Sequence, residues 1–527
     1  MRRSVSWSQL TGTEVFDLAV VGGGATGLGV ALDAALRGFS VALLESHDFG
    51  SGTSSRSTKL LHGGVRYLAQ GHLGLVREAL AERATVLRLA PHLAQPLPFV
   101  MPSFRWWHTP FYGLGLKFYD LLAGAAGLGG TRWLSRAQTL AALPGVRAEG
   151  LRGGVRYWDG QFDDARLAVA LARTAERAGA LVLNHAEVVG IDRLAPESHA
   201  GARLALRVRD TLLGQPATLR ARAVVNATGV WVDALRQEAS GQSGGAAAAR
   251  LVSPSQGVHL VVSRDFLPGE QALLVPRTQD GRVLFAVPWM GALVLGTTDT
   301  PRQDLPREPE PFEAELDFIL SEATKVLSRP VRRADIRSQW VGLRPLVAAP
   351  PKAAGGGTQA LSREHTIVAD PNGLLTVTGG KWTTYRAMAE DVLQACFDHH
   401  WLPARPAGVT ARHPLVGAPT ADAPGVPLHQ PPGPHLYGSE WPDVLACPGA
   451  DRHLGFGLTE AMVRFAARQE HACTVEDVLA RRWRVLFLNA AAAGDMAPAV
   501  AAVLQEETGL DPGLAAFLQL AAAYRPR

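Results

Sequence analysis

Residues 17–27 read DLAVVGGGATG, and this stretch decides the fold. A short apolar run ending at Val21 meets three glycines and then the helix-forming segment from Ala25 to Arg37, so strand, tight turn and helix succeed one another. In this GxGxxG pattern Gly22 permits the turn, Gly24 lets backbone approach a pyrophosphate, and Gly27 lets helix and strand pack closely. The start of the helix offers unpaired N–H groups and a partial positive charge, which suits a phosphate. A second strand, Ser40 to Leu44, completes a βαβ start. Glu45 closes it 18 residues after Gly27, where a carboxylate accepts hydrogen bonds from the ribose of an adenosine. Together these features predict a dinucleotide site.

The residues that follow narrow the choice of dinucleotide. Residues 52–68, GTSSRSTKLLHGGVRYL, carry short hydroxyl side chains able to bond phosphate and flavin edges, and Gly63-Gly64 lets backbone pass a flat ring. No second GxGxxG is comparably placed, which argues against a nicotinamide site beside the first. Val224–Asn226 and Leu374–Thr378 each run into a glycine turn and a helix, as later strands of the same domain would. Strand-like alternation at 204–208, 257–262, 283–287 and 293–297 suggests a second domain rich in antiparallel strands. The expected fold class is α/β: a Rossmann-like cofactor domain (15–92, 155–250 and 365–398) interleaved with a mixed or antiparallel sheet domain (93–154 and 251–364). A Pro- and Gly-rich linker (399–434) then leads to a helical C-terminal domain (435–527), where Thr474-Val-Glu-Asp offers a capping box.

Composition sets the limits. A chain of 527 residues, 47% apolar and 19% charged, has the make-up of a globular protein of several domains rather than of a disordered one. The net charge of +4 is small and the basic residues are scattered, so nucleic acid is not an expected partner. Lysines number 5 against 47 arginines, and two of the 5, Lys59 and Lys381, fall inside glycine-rich motifs, KLLHGG at 59–64 and GGKWTTY at 379–385. Cys396, Cys447 and Cys473 are widely spaced without a CxxC pair, so neither a disulfide framework nor a metal site is expected, and a reducing cytoplasm fits. No apolar run reaches the roughly 18 to 20 residues needed to span a bilayer. Attachment to a membrane surface stays open.

With these motifs in place, the sequence strongly resembles the FAD-dependent glycerol-3-phosphate dehydrogenases, within the D-amino-acid-oxidase-like flavoproteins. The resemblance rests on TSS at 53–55, KLLHGGVRYL at 59–68, DDARL at 163–167, NATG at 226–229, VPW at 287–289, GTTD at 296–299, GLRP at 342–345 and GGKWTTY at 379–385. The segment TVEDVLARR at 474–482 resembles the family's C-terminal domain, so nearly the whole chain is covered. The resemblance implies an FAD-binding domain, a substrate domain over the flavin and a helical cap. It also implies oxidation of sn-glycerol 3-phosphate to dihydroxyacetone phosphate, with a membrane quinone as electron acceptor; a cytoplasmic protein, free or peripheral on the inner face of the cell membrane, fits both. A homodimer stays open.

Carried onto this sequence, the FAD contacts are Gly22, Gly24, Gly27, Glu45, Thr53, Ser54, Ser57, Lys59, His62, Gly63, Ala227, Gly229, Gly380, Lys381 and Thr383. The substrate contacts are Arg66, Tyr67, His259, Arg344, Arg363 and Lys381, of which His259, Arg344 and Lys381 are the catalytic candidates. A phosphate dianion needs permanent positive charge, and the arginine fork pairs with its oxygens. Hydride transfer from C2 to flavin also needs a base for the hydroxyl proton. His259 is the leading candidate and His62 the second. The chain departs from the family where Gln256 and Val258 replace a usual lysine and serine, and where Trp382 replaces leucine. A helix beginning near Thr383 would aim its positive end at the flavin N1–C2 edge. Phe111, Leu114, Phe118 and Leu121 form an apolar helical stripe that suits either a membrane interface or, the preferred reading, the protein core. Asp163 and Asp164 are expected to cap a helix. Other readings are an oxidase that passes electrons to oxygen, acting on glycerol 3-phosphate, an amine or an amino acid, and a flavin-binding sensor without turnover. The number of cationic candidates disfavours an amine substrate.

Overall fold

The computed structural model describes residues 2–12, 14–64, 68, 71–105, 108–195, 197, 199–239, 250–348, 365–419 and 425–526. Arg66, Tyr67 and Arg363 lie outside the described residues.

Val15–Val21 is the centre of the first sheet. It pairs in parallel with Val41–Leu44 on one side and Pro216–Asn226 on the other, and Leu181–Leu183 and Leu374–Thr378 extend the parallel run outward. Valine, leucine and alanine fill these strands because both faces are covered. The register aligns Val21 with Leu44 and Asn226, and Asn226 with Thr376. Gly22, Glu45, Ala227 and Gly379 therefore leave the sheet at one carboxyl edge, the edge where open α/β sheets bind ligands. The helix Ala25–Leu36 starts there, and a Cβ on Gly27 would fall 2.0 Å from the Gly22 carbonyl oxygen, so only glycine permits this helix–strand contact.

Leu204–Asp210, inside the 155–250 segment assigned to the cofactor domain although its alternation resembles that of the second, pairs antiparallel with Pro216–Asn226 in the first sheet. Alternation alone marks a half-buried strand but not the sheet it joins. The second sheet is mixed and has ten strands. Gly153–Phe162 belongs to it through ten residue pairs with Ala94–Ser103, so the expected boundary at 154/155 cuts a strand that lies on the substrate side. Val252–Ser263 is flanked by Ala292–Gly296 and Ser338–Val347, both antiparallel. The helix Glu313–Val326 buries Leu316, Ile319 and Leu320 in a core of its own against this sheet.

The Pro- and Gly-rich stretch is not a free linker. The Leu415 N–H donates to Leu89 O, the Val416 N–H to Thr174 Oγ1 and the Leu428 N–H to Gln95 Oε1, and the side chains of Leu415, Val416 and Leu428 are buried. Beyond it the C-terminal helices Glu460–Gln469, Ala490–Thr508 and Leu514–Ala523 pack into the main core. The capping box forms, with the Asp477 N–H on Thr474 Oγ1 and the Thr474 N–H on Asp477 Oδ2, but it opens a π-helical turn, Asp477–Arg482. Buried arginines join this domain to the first: Arg481 and Arg482 to Asp48, Arg166 to Glu470, and Arg173 to Glu440.

The stripe on His108–Ala123 corrects another expectation. Leu116, Tyr119 and Ala123 turn inward, whereas Phe111, Leu114, Phe118 and Leu121 are between 42% and 74% exposed. The helix is apolar on both faces, so periodicity alone did not decide which face packs. Among the described residues no helix is long and apolar enough to cross a membrane.

Candidate active site

A cavity of about 1260 Å³ opens at the carboxyl edge of the first sheet and continues under the second. One end is formed by Glu45, Ser46, Ser51 and Trp231, the middle by Gly22, Gly24, Ala25 and Thr26, and the far end by His62, His259, Arg344 and Lys381. Glu45 is oriented by the Gly23 N–H on Oε2 at 2.7 Å and the His47 N–H on Oε1 at 2.9 Å. Gly24 caps the helix Ala25–Leu36 without a side-chain bond, and the Ala25 N–H of that turn is paired with Ser54 Oγ at 3.0 Å.

At the far end, His259 sits opposite Trp340 in the strand register and its ring stacks on the indole, 5.2 Å between centroids and 14° between planes. Its Nε2 meets Thr58 Oγ1 at 2.9 Å. Burial, with Lys59 and Arg344 adding repulsion, holds its pKa well below the usual 6.5, so the imidazole is neutral. Arg344 rises from the neighbouring strand, and its guanidinium passes over Gly257, where a Cβ would lie 2.2 Å from Nη2. Nη2 donates to Thr298 O at 2.9 Å and Thr297 Oγ1 at 3.2 Å, and Nη1 to Gln256 O and Asp299 Oδ1, each at 3.2 Å. The Gly-Thr-Thr-Asp turn thus holds this cation at the cavity wall.

The family described as FAD dependent oxidoreductase matches residues 17–386, and the C-terminal domain of alpha-glycerophosphate oxidase matches residues 409–513. Over 535 aligned residues the chain is 40% identical to the mitochondrial glycerol-3-phosphate dehydrogenases of Macaca fascicularis and Homo sapiens, covering 95% of this chain and 72% of each relative. The chain belongs to the FAD-dependent glycerol-3-phosphate dehydrogenase family. The glycerol-3-phosphate dehydrogenase from Bacillus halodurans, solved in complex with FAD, superposes with a TM-score of 0.77 at 29% identity, covering 99% of this chain and 97% of that one.

The residues present fit FAD, the family's cofactor. A helix start without a side-chain cap faces a glycine turn at mid-cavity, and the carboxylate stands at one end. At the other end Lys381 and Thr383 line the wall where a 3-10 turn, Trp382–Thr384, leads into the helix Tyr385–Asp398, whose N-terminal end therefore meets the cavity.

Of the expected contacts, Gly22, Gly24, Glu45, Thr53, Ser54, Ser57, His62, Ala227, Gly229, Gly380, Lys381, Thr383, His259 and Arg344 all line this one cavity. Three others do not. Gly27 lies behind Gly22. Gly63 has its N–H turned to Asp159 Oδ1 at 3.2 Å. Lys59 is fully buried, donating to Asp164 Oδ2 at 2.8 Å and Ser55 O at 2.7 Å inside a cage of Trp289, Trp340 and Phe487. A buried ammonium needs a carboxylate partner, and that pairing draws Lys59 away from the cavity wall. Burial lowers its pKa to about 7, against the pull of Asp164.

Asp163 caps its helix as expected, through the Arg166 N–H. Asp164 does more: its carboxylate also takes the Ser57 N–H and hydroxyl and Arg484 Nη2, so one buried acid ties the cofactor loop to the C-terminal domain. Trp382 has a similar role, its indole N–H donating to Ser54 O at 2.7 Å. Thr58, which meets His259, and Asp299, which accepts from Arg344, are contacts that sequence reasoning did not single out, although Thr58 directly precedes the KLLHGG motif and Asp299 ends the GTTD motif.

Proposed function

We propose that this protein oxidises sn-glycerol 3-phosphate to dihydroxyacetone phosphate and passes the two electrons to a membrane quinone. The observation that carries this reading is that a buried histidine, His259, lines one cavity together with two cationic side chains, Arg344 and Lys381. When bound, FAD supplies the acceptor for the hydride that leaves C2. Arg344, held by the turn at 297–299, offers charge to the phosphate. Lys381 adds a second positive charge across the cavity. His259 takes the C2 hydroxyl proton at Nε2, beside the Thr58 hydroxyl, which can rotate to donate or accept. Its burial against Trp340 keeps bulk water from competing for that proton.

The exposed residues Phe111, Leu114, Phe118 and Leu121 support peripheral attachment to a membrane, where the quinone is found. Phe111, Leu114 and Phe118 also rim the cavity, so an apolar acceptor and the active site would share one face. Steady-state assay tests the proposal. Turnover with sn-glycerol 3-phosphate and a short-chain quinone, yielding one dihydroxyacetone phosphate per quinol, is the expected result. Turnover with oxygen alone, matching the quinone rate, would replace the dehydrogenase reading with an oxidase.

A further inference from the structure

Residues 302–310 connect the short strand Thr300–Pro301 to the helix Glu313–Val326 and so belong by connectivity to the second domain, yet they cross to the first. The Trp231 indole N–H donates to Leu305 O at 3.2 Å. Arg307 donates to Ser51 Oγ at 2.6 Å, stands 3.7 Å from Glu45 Oε1 and lies over the Trp231 ring at 5.1 Å. Glu308 pairs with the buried Arg56 and accepts from the Tyr524 hydroxyl at 3.3 Å, so a residue just beyond the last helix pins the same loop. Arg307, Trp231, Ser51 and Glu45 all line the cavity, at the end remote from His259. The proposed oxidation makes no use of any of these contacts.

We propose that Arg307 is a cofactor-retaining residue that closes the adenosine end of the cavity over the adenosine diphosphate half of FAD. This rests on the FAD assignment and not on the choice of substrate. A guanidinium that is half-buried, seated on an indole and set beside a carboxylate is a planar donor that stays charged at any working pH. Glu45 and Arg307 together offer an acceptor and a donor to a ligand carrying both hydroxyls and phosphates. The loop is fastened at Trp231 on one side of Arg307 and at Tyr524 on the other, so it acts as a clasp that must open before the dinucleotide can leave.

The test is the rate of FAD release from purified holoprotein, followed by the rise in flavin fluorescence after dilution. Loss of a charge-assisted contact predicts release about tenfold faster, or more, in Arg307→Ala. Arg307→Lys, which keeps charge but not the fork, falls between that variant and wild type. Arg207→Ala, which breaks a surface pair with Asp192, keeps the wild-type rate. Wild-type release from Arg307→Ala would overturn the proposal. Should that variant fail to fold, Arg307→Lys decides on the same terms, with wild-type release again overturning it. Glycerol 3-phosphate takes no part in this readout, so faster release in a protein that ignores that substrate leaves this inference standing and removes only the substrate assignment.

Discussion

Asp164→Asn removes the one negative charge that, among the described residues, is in direct contact with both Lys59 Nζ, at 2.8 Å, and Arg484 Nη2, at 3.1 Å. All three side chains are fully buried. Lys59 can answer by shedding its proton, since its pKa already sits near 7, but a guanidinium cannot. Arg484 keeps a more distant carboxylate, Asp163, at 3.7 Å. Breaking a buried ion pair from one side costs about 3–5 kcal/mol. With roughly 2–4 °C lost per kcal/mol in a domain of this class, Tm falls by about 10 °C. Circular dichroism and flavin fluorescence of the holoprotein, recorded in parallel, read the loss. Flavin release should precede unfolding, because Asp164 also holds the Ser57 hydroxyl of the cofactor loop at 2.7 Å. The double variant Asp164→Asn/Arg484→Met should be more stable than the sum of its single changes by about 1–3 kcal/mol, since the orphaned cation is gone. A single variant within about 2 °C of wild type, or strict additivity in the double, would refute the reasoning.

Three further outcomes are expected. His259→Gln should lower kcat by about 10²–10⁴ while FAD content stays at the wild-type level, as stopped-flow flavin reduction and the absorption spectrum will report. Arg344→Lys should raise KM for the phosphorylated substrate by about tenfold in steady-state assays, because the four bonds that aim the fork at 297–299 and Gln256 cannot all be reproduced by an ammonium. Burial and then Arg166 lower His92 to about 3, so unfolding takes up a proton there once pH drops below about 6.5. Stability is therefore full above 6.5 and declines as pH falls toward 3; His92→Gln should flatten the decline of Tm with pH.

Much of this was legible in the residues themselves. Gly22, Gly24 and Glu45, expected at the cofactor, all line the cavity, since backbone approach and ribose binding restrict residue type at fixed spacings. His259, Arg344 and Lys381, more than 120 residues apart from first to last, meet in one cavity as the ordered motifs implied. Lys59 was misplaced because sequence gives no sign of which buried cation has a carboxylate waiting, and Asp164 was undervalued for the same reason. The stripe at 111–121 was assigned to the core because a helix apolar on both faces does not state which face packs. The loop at 302–310 escaped notice altogether: its role lies in contacts with Ser51, Trp231 and Tyr524, up to 256 residues away in sequence for Ser51, and no local pattern encodes them.

The most direct test of the central claim is anaerobic mixing of the yellow holoprotein with sn-glycerol 3-phosphate while the oxidised-flavin absorbance is followed. Bleaching with this substrate, and none with glycerol or with amino acids, is the expected result. Flavin that stays oxidised in the presence of glycerol 3-phosphate, or that is bleached equally by glycerol, would contradict it.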